Sequence, residues 1–179
     1  AECGLDRPLF VRYLRFRPGG QTSSGPTTWD LTVDLSHAAT TPAAMSSTFD
    51  SNHGSNRRRV YDGQVSVPWS TRNATDPDFA IEIKLDESFV WVPSAAPYLA
   101  VDLRVTGRSG PGLTIETTFR LTVDDGRIYS TSSANATTGS TQTTAAVLQL
   151  FGEHQNGLAT NYGSGCSGLN GVPLCTTVG

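Results

Sequence analysis

Four stretches of this 179-residue chain alternate apolar and polar residues with a period of two, and that rhythm restricts the fold more than any other feature. In WDLTVDL, Trp29, Leu31, Val33 and Leu35 share one face while Asp30, Thr32 and Asp34 share the other. FAIEIKL sets Phe79, Ile81, Ile83 and Leu85 against Ala80, Glu82 and Lys84. YLAVDLRV sets Leu99, Val101, Leu103 and Val105 against Asp102 and Arg104, and the run from 113 to 123 continues through Ile115, Phe119 and Leu121. Successive side chains of a strand point to opposite faces, so each stretch reads as a strand with one side on a core and the other in water. RYLRFR (Leu14 and Phe16 inward), VYDGQVSV (Val65 and Val67 inward) and AAVLQLF repeat the pattern more weakly. The last also reads as a short helix, because Ala, Leu and Gln are good helix formers.

Turn-rich segments separate these seven stretches: PGGQTSSGP, STRNATDPD, VPSAAP, GRSGPG and DDG. Asp124-Asp125-Gly126 has the composition of a hairpin turn. The one other segment with helical rhythm, SHAATTPAAMSSTF, is interrupted by Pro42. A parallel sheet needs crossover helices that this chain has no sequence to build. The expected fold is therefore all-β: an antiparallel β-sandwich, jelly-roll-like in its strand spacing. One sandwich domain is expected over residues 1–155. A Gly-rich tail over 156–179 would serve as a linker or a strand-exchange segment.

Composition narrows the partners. Charged residues make up 16% of the chain and the net charge is −3, with a pI near 5.5, so the overall field does not recruit nucleic acid. The basic run Arg57-Arg58-Arg59 reads either as a solvated loop flank, the commoner case, or as a phosphate or acidic-polymer patch. No stretch approaches the ~20 apolar residues of a membrane-spanning helix. The first residue, Ala1, is of the small kind that signal peptidase leaves behind, which points to export and a secreted or cell-surface location.

Three cysteines and three scattered histidines (His37, His53, His154) supply neither the closely spaced pairs of a structural zinc site nor a CxxC redox motif. Cys166 and Cys175, among glycines that let a short loop close, are expected to form a disulfide. Chain-entropy arguments put the stabilisation from so short a loop on the order of 2–3 kcal/mol. Cys3 is left free, paired with one of the other two, or bonded to another chain.

Several phrases, in order, resemble a family of secreted β-sandwich proteins of planctomycete-type bacteria, often carrying a PEP-CTERM-type sorting signal. They are YLRFRPGG (13–20), WDLTVDLSHAA (29–39), AMSSTFDSNHGSNRRRVYDGQVSV (44–67), FAIEIKLDESFVWVPSAAPYLAVDLRV (79–105) and GRIYSTSSANATTGS (126–140), with YGSGCSGLNGVP following in the tail. The resemblance implies export and a sandwich, and brings no catalytic residue with it. Members of that family open with a further strand where this chain has only AECGLDRPLFVR. A sandwich short of a strand exposes a hydrogen-bonding edge. The expectation is that a terminal segment of a neighbouring subunit, such as LCTTVG, fills it by strand addition.

Candidate chemistry is thin. No GxSxG elbow, HExxH or P-loop occurs. The carboxylate pairs Asp86/Glu87 and Asp76/Asp78 offer a glycosidase two acids, but both lie in or beside turns where acidic residues commonly serve local hydrogen bonds. The loops DSNHGSN and NATDPD offer calcium the oxygen ligands Asp50, Asn52, Asn56, Asp76 and Asp78, without the spacing of a calcium loop. Parity assigns Trp29 and Trp91 to the core, which leaves Trp69, after Pro68, as the candidate aromatic platform for a glycan. The expected function is a secreted structural or surface-assembly protein without catalysis or cofactor, joining copies of itself or another surface protein. A carbohydrate-binding or calcium-dependent adhesion module is the alternative, and an extracellular hydrolase comes third.

Overall fold

The computed structural model describes residues 7–19, 26–67, 79–110, 115, 117–119, 126–154 and 159–163. These residues form an all-β protein of antiparallel sheets. One sheet has four strands in the order β11-β10-β1-β4: β1 (Leu9–Phe16), β4 (Ile81–Trp91), β10 (Leu148–His154) and β11 (Ala159–Gly163). The other has three in the order β3-β2-β5: β2 (Thr27–His37), β3 (Arg58–Val67) and β5 (Leu99–Ser109). Two short pairs complete the set, β6 (Thr117–Phe119) with β9 (Thr144–Ala146) and β7 (Arg127–Tyr129) with β8 (Ser140–Gln142). β11 comes from the segment read as a tail, so the sheet runs past residue 155.

One hydrophobic cluster joins the two sheets, an arrangement consistent with a β-sandwich. The four-stranded sheet contributes Leu9, Val11, Leu14, Phe16, Ile81, Ile83, Phe89, Trp91 and Leu150, and the three-stranded sheet contributes Trp29, Leu31, Val33, Leu35, Val65, Val67 and Leu99. Each such side chain moved from water into the core contributes roughly 1.5–3 kcal/mol. The inward parity read for β2, β3 and β4 is the parity observed, with Trp29 and Trp91 both buried. Trp91 also donates from its indole Nε1 to the Ala96 carbonyl at 3.0 Å, which ties the β4–β5 turn to the core.

Bulges adjust strands whose sequence does not keep perfect time. In β1 the register against both neighbours shifts between Val11 and Tyr13, so Leu9 and Val11 face inward before the bulge and Leu14 and Phe16 after it. An extra residue in one strand moves the following side chains to the opposite face, which places all four on the core. Across from this bulge, β4 carries Asp86, Glu87 and Ser88 exposed, and the Asp86 carboxylate accepts from the Asp62 N–H of β3 at 3.2 Å. That bond links the edges of the two sheets. β5 is followed by Gly110, whose φ of 87° lies in the left-handed region open to glycine.

Two ambiguous segments are decided by the structure. AAVLQLF takes the strand alternative, divided between β9 and β10. SHAATTPAAMSSTF forms two 3-10 turns, Pro42–Ala44 and Phe49–Asn52, with extended backbone between. Residues 124 and 125 of the DDG turn lie outside the described residues, and the strands flanking it, β6 and β7, pair with β9 and β8.

Candidate functional site

Between β2 and β3 the chain leaves the three-stranded sheet and folds back over its outer face. The excursion has its own frame, built on Asn52. The Asn52 Oδ1 accepts from Thr40 Oγ1 at 3.1 Å and from the Ser46 N–H at 2.8 Å, and its Nδ2 donates to the Ser46 and Thr48 carbonyls at 2.9 and 3.0 Å. All four hydrogen-bonding positions of the amide are thereby used. Gly54 continues the return, donating to the His37 carbonyl at 2.8 Å and to Ser36 Oγ at 3.3 Å. A Cβ on Gly54 would stand 2.6 Å from that carbonyl, so only glycine lets the two backbones approach so closely.

The excursion covers two carboxylates that strand parity had assigned to water. Asp34 on β2 lies directly opposite Asp102 on β5, and two like charges placed so repel unless neutralised. Arg57 neutralises both. Its Nη2 reaches Asp34 at 2.8 Å and Asp102 at 3.0 Å, while its Nη1 holds Asp50 at 2.5 Å. Arg59 adds a second cation to Asp34 and reaches Asp62 at 3.3 Å, and Arg104 grips Asp102 through Nε and Nη2 at 3.0 and 2.8 Å. The result is a closed lattice of Asp34, Asp50 and Asp102 with Arg57, Arg59 and Arg104. Of the run Arg57-Arg58-Arg59, only Arg58 is a solvated flank; Arg57 clamps the excursion to the sheet through Asp50, Asp34 and Asp102, and Arg59 ties β3 to β2 through Asp34.

The charges carry the signature of that pairing. Burial alone would raise the Asp102 pKa, but hydrogen bonds from His53 and Arg104 outweigh it and lower the carboxyl to about 2. The Arg57 hydrogen bond holds Asp50 below the usual carboxylate range. Arg57 is itself disfavoured as a cation by burial, yet its bonds to Asp50 and Asp34 raise its pKa overall; Arg59 is raised chiefly by Asp34.

Ser36, His53 and Asp102 fall in line within this lattice. Ser36 Oγ lies 2.7 Å from His53 Nδ1, and His53 Nε2 lies 3.7 Å from Asp102 Oδ2. Hydrogen on Nε2 facing the carboxylate, with Nδ1 accepting from the serine hydroxyl, satisfies both contacts. A nucleophilic serine must present its oxygen to a substrate, whereas Ser36 is fully buried and its oxygen also accepts from Gly54 N–H. The three residues act here as a peg that fixes the excursion on the sheet.

Beside the lattice opens a cavity of about 450 Å³. All six residues from Ala100 to Val105 of β5 line it, as do Arg127, Ile128 and Tyr129 of β7, with Phe49 and Tyr98 at hand. Consecutive residues of one strand alternate faces, so a cavity touching all of them runs along the strand's edge. The Tyr98 carbonyl accepts from Ala38 N–H at 3.0 Å, on the β2 side. Backbone groups of an antiparallel strand address its two neighbours alternately, so residues 100, 102 and 104 also face β2, and Val101, Leu103 and Val105 direct theirs into the cavity. Among the described residues no strand pairs with this edge.

Of the residues singled out from sequence, Asp50 and Asn52 share one 3-10 turn, where Asp50 is engaged by Arg57 and Asn52 by its own loop. Trp69, Asp76, Asp78, Cys3, Cys166 and Cys175 lie outside the described residues. No group of three or more His, Cys, Asp or Glu gathers as metal ligands among the described residues, and no helix among them is long and apolar enough to cross a membrane. The lattice members Asp34, His53, Arg59, Asp102 and Arg104 were not recognised from sequence as a site. The one available signal was the Arg57–Arg59 run in a chain whose outward strand positions carry Asp34 and Asp102. Comparison with protein families, with curated proteins and with solved structures returns no match for this chain.

Proposed function

We propose that this chain is a secreted, non-catalytic β-sandwich protein of structural or surface-assembly type, which joins neighbouring copies or another surface protein by accepting a strand on β5. The carrying observation is the cavity along that strand, into which Val101, Leu103 and Val105 direct their backbone groups. A strand edge with no partner among the described residues, beside an open groove, suits the acceptor half of strand addition. The self-neutralised lattice next to it supports a mechanical role, since its charged groups are already committed to one another. A jelly-roll-like topology, a Cys166–Cys175 staple and kinship with the secreted planctomycete-type family belong to the same proposal.

The test is the oligomeric state. Val105 is 38% exposed and its N–H faces the cavity, so Val105→Pro removes an edge donor without taking a hydrogen bond from β2. Sedimentation velocity should show concentration-dependent association for the parent protein and a monomer for Val105→Pro, with unchanged circular dichroism. A parent protein that stays monomeric at every concentration, and is unchanged by deletion of residues 164–179, removes the self-assembly form of the proposal.

A second reading has one observation in its favour: Phe49, Tyr98 and Tyr129 line the same cavity, and aromatic faces beside hydroxyls suit a sugar ring. A glycan-binding or calcium-dependent adhesion module would raise its melting temperature with glycans or with calcium.

A further inference from the structure

The groove along β5 has a chemistry of its own. Its inner wall is apolar: Val101, Leu103, Ile115 and Leu148 line it. Its charged residues are Asp102, Arg104 and Arg127, and Asp102 is already neutralised by Arg57 and Arg104. Arg104 uses Nε and Nη2 on Asp102, and Arg127 uses Nε and Nη2 on the Gln142 Oε1, at 3.0 and 2.6 Å, with its guanidinium 5.0 Å from the Tyr129 ring centroid. Both guanidinium planes are thus held in place, and Nη1 of each has no partner among the described residues. An arginine already fixed by its neighbours loses little entropy when it meets a carboxylate.

The parity of an incoming strand follows from β5. A residue set opposite Val101 or Leu103 points to the core side, and one set opposite Arg104 points to the outer side. Because Arg104 directs its backbone towards β2, its partner on the free edge occupies a non-hydrogen-bonded position, where side chains stand closest.

We propose, resting on the strand-addition reading, that the β5 groove selects an extended segment of another protein that alternates apolar residues with a carboxylate placed opposite Arg104 and within reach of Arg127. The segment LCTTVG carries no acidic residue and is therefore the poorer donor.

Capped peptides test this with the full chain: the seven-residue TVEVTVT, its Glu→Lys and Glu→Gln versions, and the six-residue LCTTVG with serine in place of cysteine. Binding is read by titration, and strand addition by slowed amide exchange at Leu103 and Val105. A favourable cross-strand charge pair, compared with a repulsive one, predicts roughly fivefold tighter binding of the Glu peptide than of the Lys peptide. The preference should shrink in Arg104→Gln and also in Arg127→Gln, which leaves the contacts of Asp102 intact. Equal affinities with slowed exchange would overturn the charge selection and leave strand addition standing. No slowing with any peptide would overturn strand addition itself. Tightest binding by the LCTTVG analogue would overturn the acidic partner and return the groove to self-association.

Discussion

Replacing Asp102 by Asn probes the lattice where its charges are most closely packed. The Asp102 carboxyl titrates at about 2 in the folded protein against 3.8 ordinarily, and its side chain is 8% exposed. At ~1.4 kcal/mol per pKa unit, the ionised carboxylate contributes roughly 2–3 kcal/mol to stability at neutral pH. The folded pKa is depressed, so this contribution is complete above the unfolded value near 4 and is lost as pH falls through 2. Asp102→Asn also strips Arg57 and Arg104 of a shared counter-charge; breaking a buried pair from one side costs about 3–5 kcal/mol, and the partial exposure of both arginines places this case near the lower end. Urea unfolding, followed through the buried Trp29 and Trp91, measures both effects. At pH 7 the variant should be about 3 kcal/mol less stable. Between pH 5 and pH 2 the gap should narrow by about 2 kcal/mol, because only the parent carries the Asp102 titration. A gap that stays constant over that range would refute the assignment of the depressed pKa to this carboxylate.

Two further substitutions address the excursion. Asn52→Ala removes four hydrogen bonds inside the 39–57 loop and should destabilise the protein by about 2–4 kcal/mol, with proteolytic nicking of that loop accelerated before global unfolding. Gly54→Ala drives a Cβ into the His37 carbonyl; the clash should cost about 1–3 kcal/mol and disturb the Ser36–His53 contact, visible as shifted imidazole resonances.

Periodicity made the sheets legible because a half-buried strand writes its burial directly into alternate positions, as β2 does with Trp29, Leu31, Val33 and Leu35 and β4 with Ile81, Ile83 and Leu85. β1 hid its length: the bulge after Val11 changes parity, so Leu9 and Val11 fall out of step with Leu14 and Phe16 in the sequence while sharing a face in space. The same rule concealed the lattice. Parity assigned Asp34 and Asp102 correctly to the outer face, but which outer positions a loop will cover depends on tertiary approach. Arg57 meets Asp102 across 45 residues of chain, and only the register of β2 against β5 brings them together. The edge of β5 that has no partner among the described residues likewise leaves no local mark, since it depends on which strands of the fold come to lie beside it.

Amide hydrogen exchange along β5 in dilute protein tests the open edge most directly. The account predicts alternation: protection at residues 102 and 104, whose N–H groups face β2, and fast exchange at 101, 103 and 105, whose N–H groups face the cavity. Uniform protection from residue 100 to 105 would mean that the edge is already paired, and would contradict the reading of this strand as an acceptor.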